Sequence, residues 1–448
     1  MSAQGDGFAV LKQKIIACAT PLQEKVKKLK NDNTVIGQVT VEQCIGGMRG
    51  IKGMLTETSD LDPVDGIMYR GIPLKKACAS LPTVKGGQSP LPEGAFWLLL
   101  TGEVPTDAEV AMLSKAIRSR EEVPASVMAT IDSLPKDMHP MTQLSIALLA
   151  LQPSSKFADA YSKGTAKKGN YWELVLEDSL TLVAQIPIVA AKIYRRTFKD
   201  GKMPPPKKDL DWAGNYAYLL GCNDTEPFRD AIRLYLSLHA DHEGGNVSAH
   251  TAHTVGSALS DPYYAWSAGN CGLAGPLHGL ANQECLLWLE QTQKTLGNTE
   301  PTVEVVTDFA RKTLKEGKVI PGFGHAVLRN TDPRYMLEFE FALKNLPADP
   351  TFKLAKACLE AIPPVLKETG KVSNPYPNVD ALSGTILKYY GMTEADYYTV
   401  VFSVSRAMGV MSQLVWSRLL GLPIERPKSV TVDFLEKQVA KAKPQSKL

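Results

Sequence analysis

Hydrophobic positions along the chain recur mostly at helical spacing. Phe228, Ile232, Tyr235, Leu236 and His239 are offset by 4, 7, 8 and 11 positions, which puts their side chains on one stripe. Clean period-two alternation is hard to find. Proline and glycine recur at Leu91-Pro92-Glu93-Gly94, Gly201 to Pro206, Gly272 to Gly279 and Pro321-Gly322-Phe323-Gly324, and divide the chain into short and medium helices. The pattern predicts a mainly α protein with at most minor strands near the N-terminus. The longest apolar stretch, Ser179 to Ala191, contains Thr181, Gln185 and Pro187 and is flanked by Glu177, Asp178 and Lys192. It is too short and too interrupted for a membrane span, and reads as a buried core helix.

The run Met203-Pro204-Pro205-Pro206-Lys207-Lys208 reads as a surface connector, because successive prolines cannot propagate a helix. No repeat at a fixed period and no low-complexity tract stands out. The last dozen residues, with Lys437, Lys441, Lys443 and Lys447, read as a fraying basic tail ending in Ser446-Lys447-Leu448.

Composition narrows the picture. With 448 residues, 44% hydrophobic and 22% charged, the chain has material for a large buried core. At roughly 100 to 200 residues per domain its length suggests two to four domains, and two unequal ones are expected. The 50 basic and 47 acidic residues leave a net charge of +3, without the bulk excess of a nucleic-acid binder. Any anionic ligand must meet a local cluster. Seven scattered cysteines with no CxxC pair suggest neither a disulfide framework nor a zinc site, and a reducing compartment fits them. The first 48 residues contain no arginine and no long apolar run, so neither a secretory signal nor an Arg-rich presequence is visible.

The histidines carry the candidate chemistry. His239, His242, His250 and His253 fall within fifteen residues. Read as two HxxH pairs with Asp241 and Glu243 nearby they would suit zinc, although HExxH is absent. Alternatively, one or two of them hydrogen-bond a small anion while the rest pack in helices. Glu243-Gly244-Gly245-Asn246 makes a tight bend after His242, where a ligand can approach closely. Gly275-Pro276-Leu277-His278-Gly279 sets a histidine in a loop opening onto a helix, where a neutral imidazole could donate to a carbonyl oxygen and hold an enol. Pro321-Gly322-Phe323-Gly324-His325, followed by Arg329 and Arg334, has an anion site's composition but lacks the Lys-Ser/Thr of a Walker loop. Asp380 follows Asn374-Pro375-Tyr376-Pro377-Asn378-Val379, and reads equally as a catalytic carboxylate or as a helix N-cap.

Taken together, Gly46-Gly47-Met48-Arg49-Gly50, His242-Glu243-Gly244-Gly245-Asn246-Val247-Ser248-Ala249-His250, Gly275 to Asn282, Pro321 to His325 and Pro377 to Asp380 resemble the eukaryotic citrate synthases in order and spacing, from about Val35 to Lys428. The resemblance implies an all-helical homodimer with a large domain (residues 1–280 and 391–448), a small domain (281–390) and a cleft between them that closes on oxaloacetate. It implies that Asp380 takes a methyl proton from acetyl-CoA, His278 stabilises the enol oxygen and His325 polarises the oxaloacetate ketone.

It further implies that Arg334, Arg406 and His242 hold oxaloacetate, joined by Arg426 from the partner. Arg49, Lys168, Val319, Gly322, Gly324 and Arg329 are the expected CoA contacts, Lys168 standing where an arginine is expected. No metal and no resident cofactor is implied, since CoA enters as a substrate. Neither nucleic acid nor a membrane is expected as a partner. The related alternative is 2-methylcitrate synthase acting on propionyl-CoA, because one methylene is worth only about 1 to 3 kcal/mol in an apolar pocket. Ser446-Lys447-Leu448 matches a peroxisomal address, and the mitochondrial matrix is the alternative.

Overall fold

The computed structural model describes residues 4–442 apart from 298, 326, 371 and 373, so Ser446-Lys447-Leu448 lies outside the described residues. The Ser179–Ala191 run lies inside Tyr171–Phe198, a 28-residue helix buried from Leu180 to Tyr194 except at Thr181 and Lys192. It packs against Tyr398–Leu419, a helix whose every residue is buried. All-round burial leaves Tyr398–Leu419 without a solvent face, whereas Tyr171–Phe198 keeps a partly exposed polar stripe at Glu173, Glu177, Thr181, Lys192 and Arg195. Tyr171–Phe198 is the one described helix long and apolar enough to cross a membrane, yet 83% of that window is buried inside the protein.

Local signals set the helix ends. Thr106 caps Asp107–Arg118 in a reciprocal pair with Glu109, and Asp261 accepts from the N–H groups of Tyr263 and Tyr264 at the start of Pro262–Leu273. Gly102 and Gly221 close their helices in the left-handed conformation. The stripe Phe228 to His239 is buried as expected. Helices Ala281–Leu296, Val303–Lys315, Pro333–Asn345, Pro350–Glu368 and Asp380–Tyr389 pack on one another. Between helices, the proline-rich connector is held by Arg118, which donates to the carbonyls of Lys207 and Lys208 at 2.6 Å each.

The strands form one small antiparallel sheet, β1 (Ser59–Asp62), β2 (Gly66–Tyr69) and β3 (Ile72–Pro73), in that order, with Ser59 opposite Tyr69 and Met68 opposite Pro73. The sheet braces the end of helix Glu226–Leu238 and the segment that follows: the Tyr69 hydroxyl donates to the carbonyls of Ser237 and Leu238 and accepts the Asp241 N–H. All seven cysteines are free.

The C-terminal region departs from expectation. Val432–Ala442 is a helix opened by Thr431, and its Val432, Phe434 and Val439 are exposed. Leu435 completes an apolar stripe too short to stand out among the lysines. Residues 32–39 and 422–431 are without regular structure, and they too expose large apolar side chains at Val35, Ile36, Val39, Ile424 and Val430.

Candidate active site

His242 precedes a bend that the rest of the fold holds tightly. Asp241 is fully buried and accepts from Thr58 at 2.6 Å, Ser59 at 2.8 Å and Gln413 at 2.7 Å. Glu243 has φ +53, a left-handed conformation that costs about 1 to 3 kcal/mol and persists only where neighbours enforce it. Here the Ser59 hydroxyl accepts its N–H at 2.8 Å, and Asn246 donates to the carbonyls of both His242 and Glu243. The constraint aims the His242 ring at a cleft of about 420 Å³. Its Nε2 is buried without a hydrogen-bond partner among the described residues, and burial, then Arg334 and Arg406, hold its pKa well below the ordinary value. The imidazole is neutral.

His278 is positioned by the N-terminus of helix Val247–Ser257. The Ser248 N–H points at its Nε2 at 3.4 Å, and Ser248 Oγ lies 2.9 Å from the same nitrogen. We assign the lone pair to Nε2 and the proton to Nδ1, because a helix N-terminus presents donors. The Ser248 hydroxyl is shared, since Asn246 Oδ1 accepts it at 2.9 Å beside the Ala249 N–H at 3.2 Å and Arg406 at 3.5 Å, so the assignment rests on the Ser248 N–H, which can only donate. Burial, then Arg406, lowers the His278 pKa to about 4. A neutral ring with its Nδ1–H available to a ligand results.

His325 and Asp380 come from two loops stapled together. Gly324 N–H donates to the Tyr376 carbonyl at 2.9 Å, Asn378 N–H to the Gly322 carbonyl at 2.9 Å, and the Asn378 amide to the Gly324 carbonyl at 3.0 Å. Gly322 has φ +80, and a Cβ there would stand 2.7 Å from Cys285 Sγ and 2.9 Å from Ala381, so the approach requires glycine. His325 Nδ1 accepts the N–H groups of Val327 and Leu328 at 3.0 and 3.1 Å, which puts the ring proton on Nε2. Burial, then Arg334, lowers its pKa. Asp380 opens helix Asp380–Tyr389 as its first residue; its side chain makes no cap bond, and Asn378 accepts its N–H at 3.0 Å. The N-cap alternative therefore does not hold. Burial raises the Asp380 pKa to about 6 despite Arg334.

The two arginines differ. Arg334 forks onto the buried Asp332, with contacts of 2.7 to 3.2 Å. Arg406 is buried against the Phe402 ring, 4.8 Å from its centroid, and donates to the His239 carbonyl at 3.0 Å. No carboxylate lies within 4 Å of it among the described residues, and burial lowers its pKa to about 10 although Asp241 opposes. A buried guanidinium with no carboxylate in contact is costly, and from the cleft wall it can take an anion.

His242, His278, His325, Arg334, Asp380 and Arg406 thus line one cleft, with the exposed Arg49 at its edge. The fold does not converge the HxxH pairs: His239 bonds the Tyr235 carbonyl at 2.9 Å, while His250 and His253 face Glu425. Arg426, Lys168, Val319, Gly322, Gly324 and Arg329 are not among the cleft residues of the single chain. Arg426 and Val319 are exposed, Lys168 lies against Gly421, and Arg329 donates to the carbonyls of Val327 and Leu328. A wider surface groove of about 800 Å³ near Arg118 and Pro206 contains no histidine.

Sequence reasoning passed over several supporting residues. Asp332 and Asn378 carry a legible signal, as Asx residues just before a helix. Ser248 had none, because its role depends on His278 being brought beside it. Glu338, one turn past Arg334, is buried with Oε2 unpartnered among the described residues, and burial raises its pKa well above the ordinary value.

Comparison with known proteins gives the family. The family model "Citrate synthase, C-terminal domain" matches residues 47–428. The chain belongs to the citrate synthase family. It is 54% identical over 422 residues to "Citrate synthase, mitochondrial" of Daucus carota, spanning 94% of this chain and 89% of that protein. It is 53% identical over 422 residues to "Citrate synthase 4, mitochondrial" of Arabidopsis thaliana, spanning 94% and 88%. Among solved structures, citrate synthase of Pyrobaculum aerophilum aligns with a TM-score of 0.75 at 28% identity, covering 89% of this chain and 95% of that one. Citrate synthase of Thermoplasma acidophilum, solved as a ternary complex, shares the fold at 21% identity and a TM-score of 0.71, covering 88% and 97%.

Proposed function

We propose that this chain condenses acetyl-CoA with oxaloacetate and hydrolyses the product thioester, giving citrate and free CoA. The observation that carries the reading is the meeting, in one cleft, of two neutral imidazole donors, a base of raised pKa and a buried guanidinium with no carboxylate in contact among the described residues. Asp380 removes a methyl proton from acetyl-CoA while His278 Nδ1–H holds the forming enol oxygen. The enol carbon attacks the oxaloacetate ketone, whose π pair moves to the oxygen and is protonated through His325 Nε2–H; water then adds to the thioester carbonyl, the C–S bond breaks and CoA leaves as the thiol with a proton from that water. A neutral donor suits this chemistry, because it stabilises the developing enolate oxygen by a hydrogen bond, as a neutral imidazole does beside a carbonyl undergoing enolisation. A base near pKa 6 reduces the mismatch with a C–H acid at about 1.4 kcal/mol per pH unit relative to an ordinary aspartate.

Arg406, Arg334 and His242 hold oxaloacetate, with Arg426 supplied by the second subunit of a homodimer. In support of the dimer, apolar side chains are exposed along residues 35–55 and 424–439, and a second copy would cover them. Arg49, Lys168, Val319, Gly322, Gly324 and Arg329 contact CoA, which acts as a substrate with no resident cofactor. Residues 281–390 close on residues 1–280 and 391–448. The relatives' mitochondrial names support the matrix as the location.

The test is oxaloacetate-dependent release of CoA thiol from acetyl-CoA and from propionyl-CoA, for the native chain and Asp380→Ala. Acetyl-CoA turnover lost in the variant is expected; a preference for propionyl-CoA would replace the reading with methylcitrate synthesis.

A further inference from the structure

Glu425 is anchored far more firmly than an exposed chain segment requires. Its N–H donates to the buried Ser257 hydroxyl at 3.0 Å, and Thr254 donates to its Oε2 at 3.1 Å. Its Oε1 meets His253 Nδ1, and Oε2 lies 3.4 Å from His250 Nε2. All four partners belong to helix Val247–Ser257, the same helix whose Ser248 orients His278. The residues on either side, Ile424 and Arg426, are without regular structure, and Ile424 is exposed. A segment of this kind keeps about 1 to 2 kcal/mol of backbone entropy per residue unless something fixes it. Here the fixing point is one residue, through its carboxylate and its backbone N–H.

We propose that Glu425 is a positioning residue for catalysis in the partner subunit: clamped on helix Val247–Ser257, it fixes the backbone from which Arg426 reaches the partner's oxaloacetate site. The proposal rests on the reading of Arg426 as a residue acting across the interface. It also explains why two histidines of the HxxH cluster leave the cleft. They grip the segment that serves the other site, so one helix orients His278 for its own site and Arg426 for its partner's.

The test uses full-length dimers and steady-state kinetics. Glu425→Ala should raise KM for oxaloacetate about tenfold or more, with KM for acetyl-CoA within about twofold and the dimer intact by sedimentation. Heterodimers carrying two different tags then pair Glu425→Ala subunits with Asp380→Ala subunits. The only working site lies in the Glu425→Ala subunit and receives Arg426 from a partner with intact Glu425, so its KM should return to the native value. The control pairs Arg426→Ala with Asp380→Ala. A control that stays impaired refutes the crossing of Arg426, and the proposal with it. A rescued control beside an unrescued Glu425→Ala heterodimer overturns the positioning role alone, as does a native KM in the Glu425→Ala homodimer. Should Glu425→Ala fail to fold or dimerise, Glu425→Gln takes its place in both arms, with a rise of about threefold expected in the homodimer and the same rescue in the heterodimer.

Discussion

Replacing Arg406 by methionine separates a substrate-binding guanidinium from a structural one. Methionine keeps a flexible apolar stem against Phe402 and removes the charge. The charge is disfavoured by burial, which pushes its pKa down to about 10, a cost of about 3 to 4 kcal/mol at about 1.4 kcal/mol per pH unit. Its loss leaves the His239 carbonyl without that donor, which costs about 1 to 3 kcal/mol. The two nearly offset, so thermal or urea unfolding of the substrate-free variant should match the native protein within about 2 kcal/mol. With oxaloacetate the comparison changes. Losing a desolvated charge-assisted partner costs about 3 to 5 kcal/mol, so KM for oxaloacetate should rise about 10² to 10⁴-fold. Oxaloacetate, which at 100 times Kd stabilises the native protein by about 2.7 kcal/mol, should leave the variant's midpoint unmoved. A loss of 3 kcal/mol or more without substrate, alongside a native KM, would refute the reasoning and make Arg406 a structural residue.

Other predictions address the acid and base groups. Asp380, with its pKa raised to about 6, favours the fold when protonated. Stability is therefore full below its unfolded value near 4 and falls as pH rises through 6. Asp380→Asn should thus unfold at a higher temperature than the native chain at pH 7.5, with the difference gone at pH 4, while its turnover is nearly abolished. In the native enzyme kcat/KM should fall tenfold per pH unit below about 6 as Asp380 protonates, and a flat profile down to pH 5 would contradict the assignment. Ser248→Ala removes the hydroxyl 2.9 Å from His278 and should lower kcat about tenfold with little change in KM for oxaloacetate; unchanged kcat would remove Ser248 from the site. Glu338→Gln keeps shape and neutrality, so turnover should stay within about twofold at pH 7.5, whereas a large loss there would mean that Glu338 is ionised.

Much of this protein was legible in its residue order. Helical periodicity, capping residues and proline positions are local: they mark the apolar run Ser179–Ala191 as a core helix, the start of Asp107–Arg118 at the Thr106–Glu109 pair and the connector at Met203–Lys208, but not the full extent of Tyr171–Phe198, which has no side-chain cap and carries Pro187 inside. The glycines beside His278 and His325 and the bend after His242 also announce themselves locally, because close backbone approach needs them. What remained hidden depended on contacts far apart in sequence. Four clustered histidines look alike until tertiary packing sends His239 to a carbonyl, His250 and His253 to Glu425, and His242 alone to the cleft. The same holds for protonation. A histidine titrating near 4 and an aspartate near 6 are products of burial and of neighbours distant along the chain, which residue order does not bring together until the chain folds. The sequence alone thus determined the helices and their breaks, and tertiary structure decided which polar side chains lose water together, which is what turns them into a site.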